Sequence, residues 1–135
     1  MAGIASAIYG VEDVVVMGVS AARLHGVIPR ALATAVVAVP RQHRPIVLSD
    51  RPATIRFVKR DIVRTDLGPT LATTPKQTVL DLAHRPALGD AEADVSSAVA
   101  ALFARSDKDR LRELATEQRR SASLRGAEDW ARGFP

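Results

Sequence analysis

Apolar residues fall in short, β-branched runs up to about residue 72, and at helical spacing after it. Val14 to Met17 is a compact apolar run that suits a buried strand. Ala33 to Val39 is the clearest strand, apolar, rich in valine and ended by Pro40. Ile46-Val47-Leu48 reads as a further strand after the polar connector Arg41-Gln42-His43-Arg44. Thr54 to Lys59 alternates, with Ile55, Phe57 and Lys59 on one side and Thr54, Arg56 and Val58 on the other. Asp61 to Thr65 continues as a short strand, and Asp66-Leu67-Gly68-Pro69 is turn chemistry. Residues 2–10 carry a weak helical pattern, and Gly18-Val19 turns the chain. Ser20 is placed to cap a short helix Ala21 to His25, with Gly26 as its terminating glycine.

The second half is helical. Thr73-Thr74-Pro75-Lys76-Gln77-Thr78-Val79-Leu80-Asp81-Leu82-Ala83 spells a helix start. Thr74 suits the N-cap, Pro75 the first helical position, and Gln77 the reciprocal arm of a capping box. His84-Arg85-Pro86 breaks that helix. Asp90 to Arg105 places Val95, Val99, Leu102 and Phe103 on one face. Ser106-Asp107 starts another helix, Lys108 to Arg120, with Leu111 and Leu114 inward and Arg110, Arg112, Glu113 and Glu117 outward. Residues 119–123 read as a linker before a last helix, Leu124 to Arg132, with Ala127, Trp130 and Ala131 on its apolar side. The expectation is one α+β domain over residues 1–135: a small, mainly antiparallel sheet in residues 14–72 and a helical part over 75–132.

Composition narrows this picture. With 47% apolar but only 4% aromatic residues, the chain builds its core from Val, Leu, Ile and Ala. It has no Cys, which removes disulfides and thiolate metal sites and agrees with a reducing cytoplasm. No apolar run approaches the roughly 20 residues that span a bilayer. The N-terminus lacks a basic stretch and soon meets Glu12-Asp13, so no signal peptide is expected. The net charge of +4 is lopsided: residues 1–67 hold nine Lys/Arg against five Asp/Glu, and residues 68–135 hold ten of each. The excess lies in Arg41, Arg44, Arg51, Arg56, Lys59, Arg60 and Arg64. Such a segment is either a solvated strand face or a surface for phosphates or an acidic partner. Phe57 is its one aromatic, so base stacking is not supported.

Candidate chemistry is sparse. Val14-Val15-Val16-Met17-Gly18-Val19-Ser20-Ala21-Ala22 mimics a nucleophile elbow, and Ser20, an Asp such as Asp66 and then His84 stand in hydrolase order. The chain is too short for the parallel sheet that such an elbow needs, and a helix-capping serine explains the same residues. His25, His43 and His84 are too far apart for metal-ligand spacing; His25 reads as a half-buried helix-end residue. No phosphate-cradling glycine loop is present. The adjacent acids Glu12-Asp13 and Glu128-Asp129 point apart and read as surface charges. Asp81 stands out in an apolar helix. It either faces solvent or accepts a hydrogen bond, and if buried it needs a cation, for which an Arg of the basic strands is suited.

Two segments together resemble a known family. Ser20-Ala21-Ala22-Arg23-Leu24-His25-Gly26-Val27 and Thr73-Thr74-Pro75-Lys76-Gln77-Thr78-Val79-Leu80-Asp81-Leu82-Ala83 are similar to segments of AbiEi-family antitoxins, with Val37-Ala38-Val39-Pro40-Arg41 between them. The resemblance covers Tyr9 to Ala83 and makes Ser20, His25, Gly26, Thr74, Pro75, Gln77 and Asp81 its markers. It implies a bacterial, cytoplasmic antitoxin module without cofactor or catalytic residues. The implied partner is a nucleotidyltransferase-like toxin of a type IV toxin–antitoxin system. Family members usually carry an N-terminal winged helix that binds their own promoter, and no such element is read before residue 14. The arginine-rich segment then supplies the partner- or phosphate-binding candidates Arg41, Arg44, Arg56, Lys59, Arg60 and Arg64. Two alternatives stand beside this one: a nucleic-acid-binding regulator of its own operon, and a phosphotransferase that modifies the toxin.

Overall fold

The computed structural model describes residues 15–29, 32–39, 44–47, 53–59 and 72–133. The elements expected at residues 2–10 and 61–69 lie outside them. Among the described residues, four strands form one sheet: β1 (Val15–Val16), β2 (Thr34–Val39), β3 (Ile46–Val47) and β4 (Thr54–Lys59). Five helices accompany it: α1 (Gly18–Leu24), α2 (Pro75–His84), α3 (Glu92–Arg105), α4 (Lys108–Glu117) and α5 (Ser121–Gly133). The class is α+β with a helical C-terminal part.

The sheet is mixed, in the order β1-β2-β4-β3. Both outer pairings are antiparallel. The longest pairing, β2 with β4, is parallel, from Thr34 opposite Thr54 to Val39 opposite Lys59. The short strand β3 accounts for this: it folds back onto the far edge of β4, so β4 can return in the direction of β2. Every position of β2 is buried, so both of its faces are covered, and this explains its unbroken apolar spelling. Val36 and Ala38 join the main core with the helices, whereas Ala35, Val37 and Val39 form a second cluster with Ile55 and Phe57. Outside the strands, Ala72 bridges Val16, and the Thr73 N–H donates to the Val16 carbonyl at 2.9 Å. The segment leading into α2 is thereby docked beside β1.

The helices pack on one face of the sheet. Val79, Leu80 and Leu82 of α2, Val95, Val99 and Leu102 of α3, Leu111 and Ala115 of α4, and Leu124 and Ala127 of α5 close the main core. The loop between α2 and α3 fits tightly under α1. A Cβ on Gly89 would overlap Val19 Cγ2 and lie 3.2 Å from Val19 Cβ, so the site admits only glycine without movement. Asp107 caps α4 as its spelling predicts, accepting the N–H groups of Asp109 and Arg110 at 2.9 and 3.2 Å. The linker expected at residues 119–123 is shorter: Arg119 takes a positive φ of 56°, the turn ends at Arg120, and α5 begins at Ser121. That left-handed residue reverses the chain in fewer positions than a flexible linker needs.

Candidate functional site

The two marker segments meet in space. His25 follows α1 as its C-cap, with Gly26 next at φ 80°, as a terminating glycine requires. His25 Nε2 lies 2.8 Å from the Thr73 carbonyl, just before α2. A carbonyl cannot donate, so Nε2 carries the proton. Arg105 of α3 donates Nη1–H to the carbonyl of His25 at 2.8 Å. The end of α1 is thus tied to both α2 and α3, and the half-buried helix-end role expected of His25 holds.

Ser20 differs from expectation. The helix starts at Gly18, with Met17 as an N-cap that makes no side-chain bond. Ser20 is inside α1 and buried, and its Oγ accepts the backbone N–H of Val36 at 2.8 Å. It therefore stitches α1 to β2 rather than capping the helix. Its hydroxyl is not presented to a substrate, which removes the elbow reading; Asp66 of that order lies outside the described residues. Ala21 and Ala22 have no exposed surface, so small side chains are needed where α1 lies closest to its neighbours.

The start of α2 behaves half as its spelling predicts. Thr74 is the N-cap and accepts the Gln77 N–H at 3.3 Å, with Pro75 in the first turn. The side chain of Gln77 does not serve a capping box. It is fully buried and donates Nε2–H to Asp81 Oδ1 at 3.0 Å and to Gln118 Oε1 at 2.9 Å. Gln118 Nε2 donates back to Gln77 Oε1, closing a reciprocal amide pair between α2 and the end of α4. Half-buried Asp81 is accordingly a hydrogen-bond acceptor at this junction. Thr78 donates to the Thr74 carbonyl at 2.8 Å, so the bond of the same length between the Thr73 and Thr78 hydroxyls has Thr73 as its donor.

The basic candidates lie elsewhere. Arg44, Arg56 and Lys59 are exposed at the β3–β4 edge of the sheet; Arg41, Arg60 and Arg64 lie outside the described residues. Arg56 is 3.5 Å from Asp90 Oδ2, an ion pair with about half of each side chain in solvent, so its contribution is at most about 1 kcal/mol. Asp90 has a φ of 55° and accepts the Thr34 hydroxyl at 2.9 Å. Arg85, which sequence reasoning counted only as part of a helix break, joins Arg56 and Lys59 around one pocket. No local signal marks it, because it arrives from a different element. Among the described residues no three His, Asp or Glu side chains are placed to hold a metal ion. None of the described helices is long and apolar enough to cross a membrane.

Comparison with known proteins gives one result. The sequence model of the AbiEi antitoxin C-terminal domain matches residues 14–128. No curated protein and no solved structure matches.

Proposed function

The chain belongs to the family of AbiEi antitoxin C-terminal domains, and from this we propose that it neutralises a nucleotidyltransferase-like toxin of a type IV toxin–antitoxin system without catalysis of its own. The match over residues 14–128 carries this reading. The geometry supports it: the marker residues Ser20, His25, Thr74 and Gln77 are spent on holding α1, β2, α2 and α4 together. Apart from them, Arg44, Arg56 and Lys59 stand exposed at the β3–β4 side of the sheet, free to face a partner. We assign partner contact to this edge and, by continuity of sequence, to Arg41, Arg60 and Arg64, in a soluble cytoplasmic protein.

The test is co-expression of residues 1–135 with a nucleotidyltransferase-like toxin from the same locus. Growth is restored by the intact chain. It is weakened by charge removal at Arg44, Arg56 and Lys59 together, while Asp81→Asn retains rescue if α2 only holds the domain. A folded chain that gives no rescue overturns the proposal.

The same edge supports a second reading, a regulator that binds nucleic acid through phosphates. It requires an affinity for duplex DNA that falls with salt at a slope near −0.9 per phosphate contacted. The phosphotransferase alternative requires transfer of phosphate from ATP to the toxin.

A further inference from the structure

We propose that Asp90 is a positioning residue for partner recognition: it fixes the Arg56 guanidinium so that its outer side meets a carboxylate on the toxin. The inference rests on the reading of Arg56 as a partner contact and names the group that this arginine meets.

Strand alternation puts Arg56 on the side of β4 that faces the helices. Val58, two positions on, packs on the main core, whereas Ile55 and Phe57 belong to the second cluster. On β2 the same side carries Val36 and Ala38, and by alternation Thr34. Thr34 and Arg56 therefore share one face, and the α2–α3 connection ends over it. There Asp90 Oδ2 accepts the Thr34 hydroxyl at 2.9 Å and lies 3.5 Å from Arg56 Nη2. One carboxylate oxygen serves both groups.

The anchor is rigid on three counts. Thr34 is buried, so the hydroxyl that orients the carboxylate is itself held in place. Gly89 precedes Asp90 and lies tight under α1, where a Cβ would overlap Val19. Asp90 has a φ of 55°, a left-handed backbone that aspartate tolerates better than most side chains. The Thr34 bond needs only an acceptor, which an asparagine would also offer. The negative charge of Asp90 adds its effect at Arg56. So exposed a pair stabilises the fold little, but it restrains a long side chain in advance. A partner then has less rotamer freedom to remove on binding.

The chemistry of the partner group follows from the guanidinium. Asp90 faces one of its nitrogens, and 45% of the Arg56 side chain stays in solvent. Its donors form a planar fork that matches two oxygens of a carboxylate at once. An acidic group on the toxin also suits the positive balance of residues 1–67.

The test has two arms, both on the full chain. Without toxin, nitrogen-15 relaxation of the Arg56 Nε–H reports the order of the side chain. It is ordered in the parent chain and mobile in Asp90→Asn, which keeps the left-handed backbone and an acceptor for Thr34. Equal mobility in both overturns the proposal. In co-expression, the toxin level that cells tolerate falls roughly tenfold with Arg56→Gln, the loss of one charge-assisted contact. Asp90→Asn reproduces most of that fall, and the double variant falls no further than Arg56→Gln alone. Arg56→Lys keeps the charge but lacks the fork, and does not restore tolerance. Arg112→Gln on α4 removes the same charge as Arg56→Gln and leaves tolerance unchanged. Full tolerance with Asp90→Asn, additive losses in the double variant, or recovery by Arg56→Lys each overturns the proposal and leaves the antitoxin reading standing. No rescue by the intact, folded chain overturns that reading and this inference with it.

Discussion

Ser20 shows how much one side chain can mean. Its type and position fit a helix cap and a nucleophile equally well, yet its hydroxyl serves the backbone of a strand 16 residues away. A buried N–H with no acceptor costs about 1–3 kcal/mol. Ser20→Ala therefore lowers stability by about that amount, and urea unfolding measures it. Changing Ser20 to Cys keeps most of the volume but offers a weak acceptor, and gives an intermediate loss. A shift smaller than about 0.5 kcal/mol for Ser20→Ala would place the Val36 N–H outside the stability account. His25 is the complementary case: its ring was read as a helix-end group, and its partner, the Thr73 carbonyl, lies 48 residues on.

At the scale of elements, α2 joins the halves of the chain. Its cap is local: Thr74, Pro75 and the Gln77 N–H lie within four positions. Its anchor is not local, since the Gln77 amide pairs with Gln118 of the α4 terminus, 41 residues away. These two functions separate by mutation. Thr74→Ala removes one cap bond and costs about 1 kcal/mol. Gln77→Ala costs more, because it leaves a cavity in α2 packing and strands the Gln118 amide. Equilibrium unfolding ranks the two, and a cycle with Gln118→Ala shows coupling for Gln77→Ala but not for Thr74→Ala. Equal losses with no coupling to Gln118 would restore the capping box. The apolar faces of α3 and α4 are legible in Val95, Val99, Leu102 and Leu111, because 3.6-residue periodicity requires only that one face be covered, whereas the buried Ala98 and Ala115 carry too little apolar signal to stand out.

For the molecule as a whole, titration reports how the helices pack. Desolvation, then the Arg120 and Arg85 charges, hold His84 below its ordinary 6.5, with Asp81 pulling the other way. The unfolded chain therefore takes up a proton before the folded one does. Stability is fully present above pH 6.5, and it declines as pH falls from there through the lower folded value. His84→Gln flattens this part of the stability–pH curve. Asp107 acts with the same sign at lower pH. The backbone N–H of Arg110, then that of Asp109, holds its carboxyl below 3.8 against some desolvation. Its contribution is present above that value and is lost as acid protonates the cap. Thermal melts across pH, with and without His84→Gln, separate the two windows; an unchanged slope in the variant would remove His84 from the account. By itself the sequence determined what depends on near neighbours: the cap at Thr74, the cap at Asp107, the alternation of β4, the apolar strand β2, the family markers and the basic segment. Caps and amphipathic faces are settled within a few residues, where chain connectivity holds the groups together. Only the tertiary structure decided the parallel pairing of β2 with β4, the acceptor role of Ser20, the amide pair of Gln77 with Gln118, and the arrival of Arg85 beside Arg56 and Lys59. Those depend on which distant surfaces bury one another, and burial is a property of the packed chain, with no signature in the local spelling.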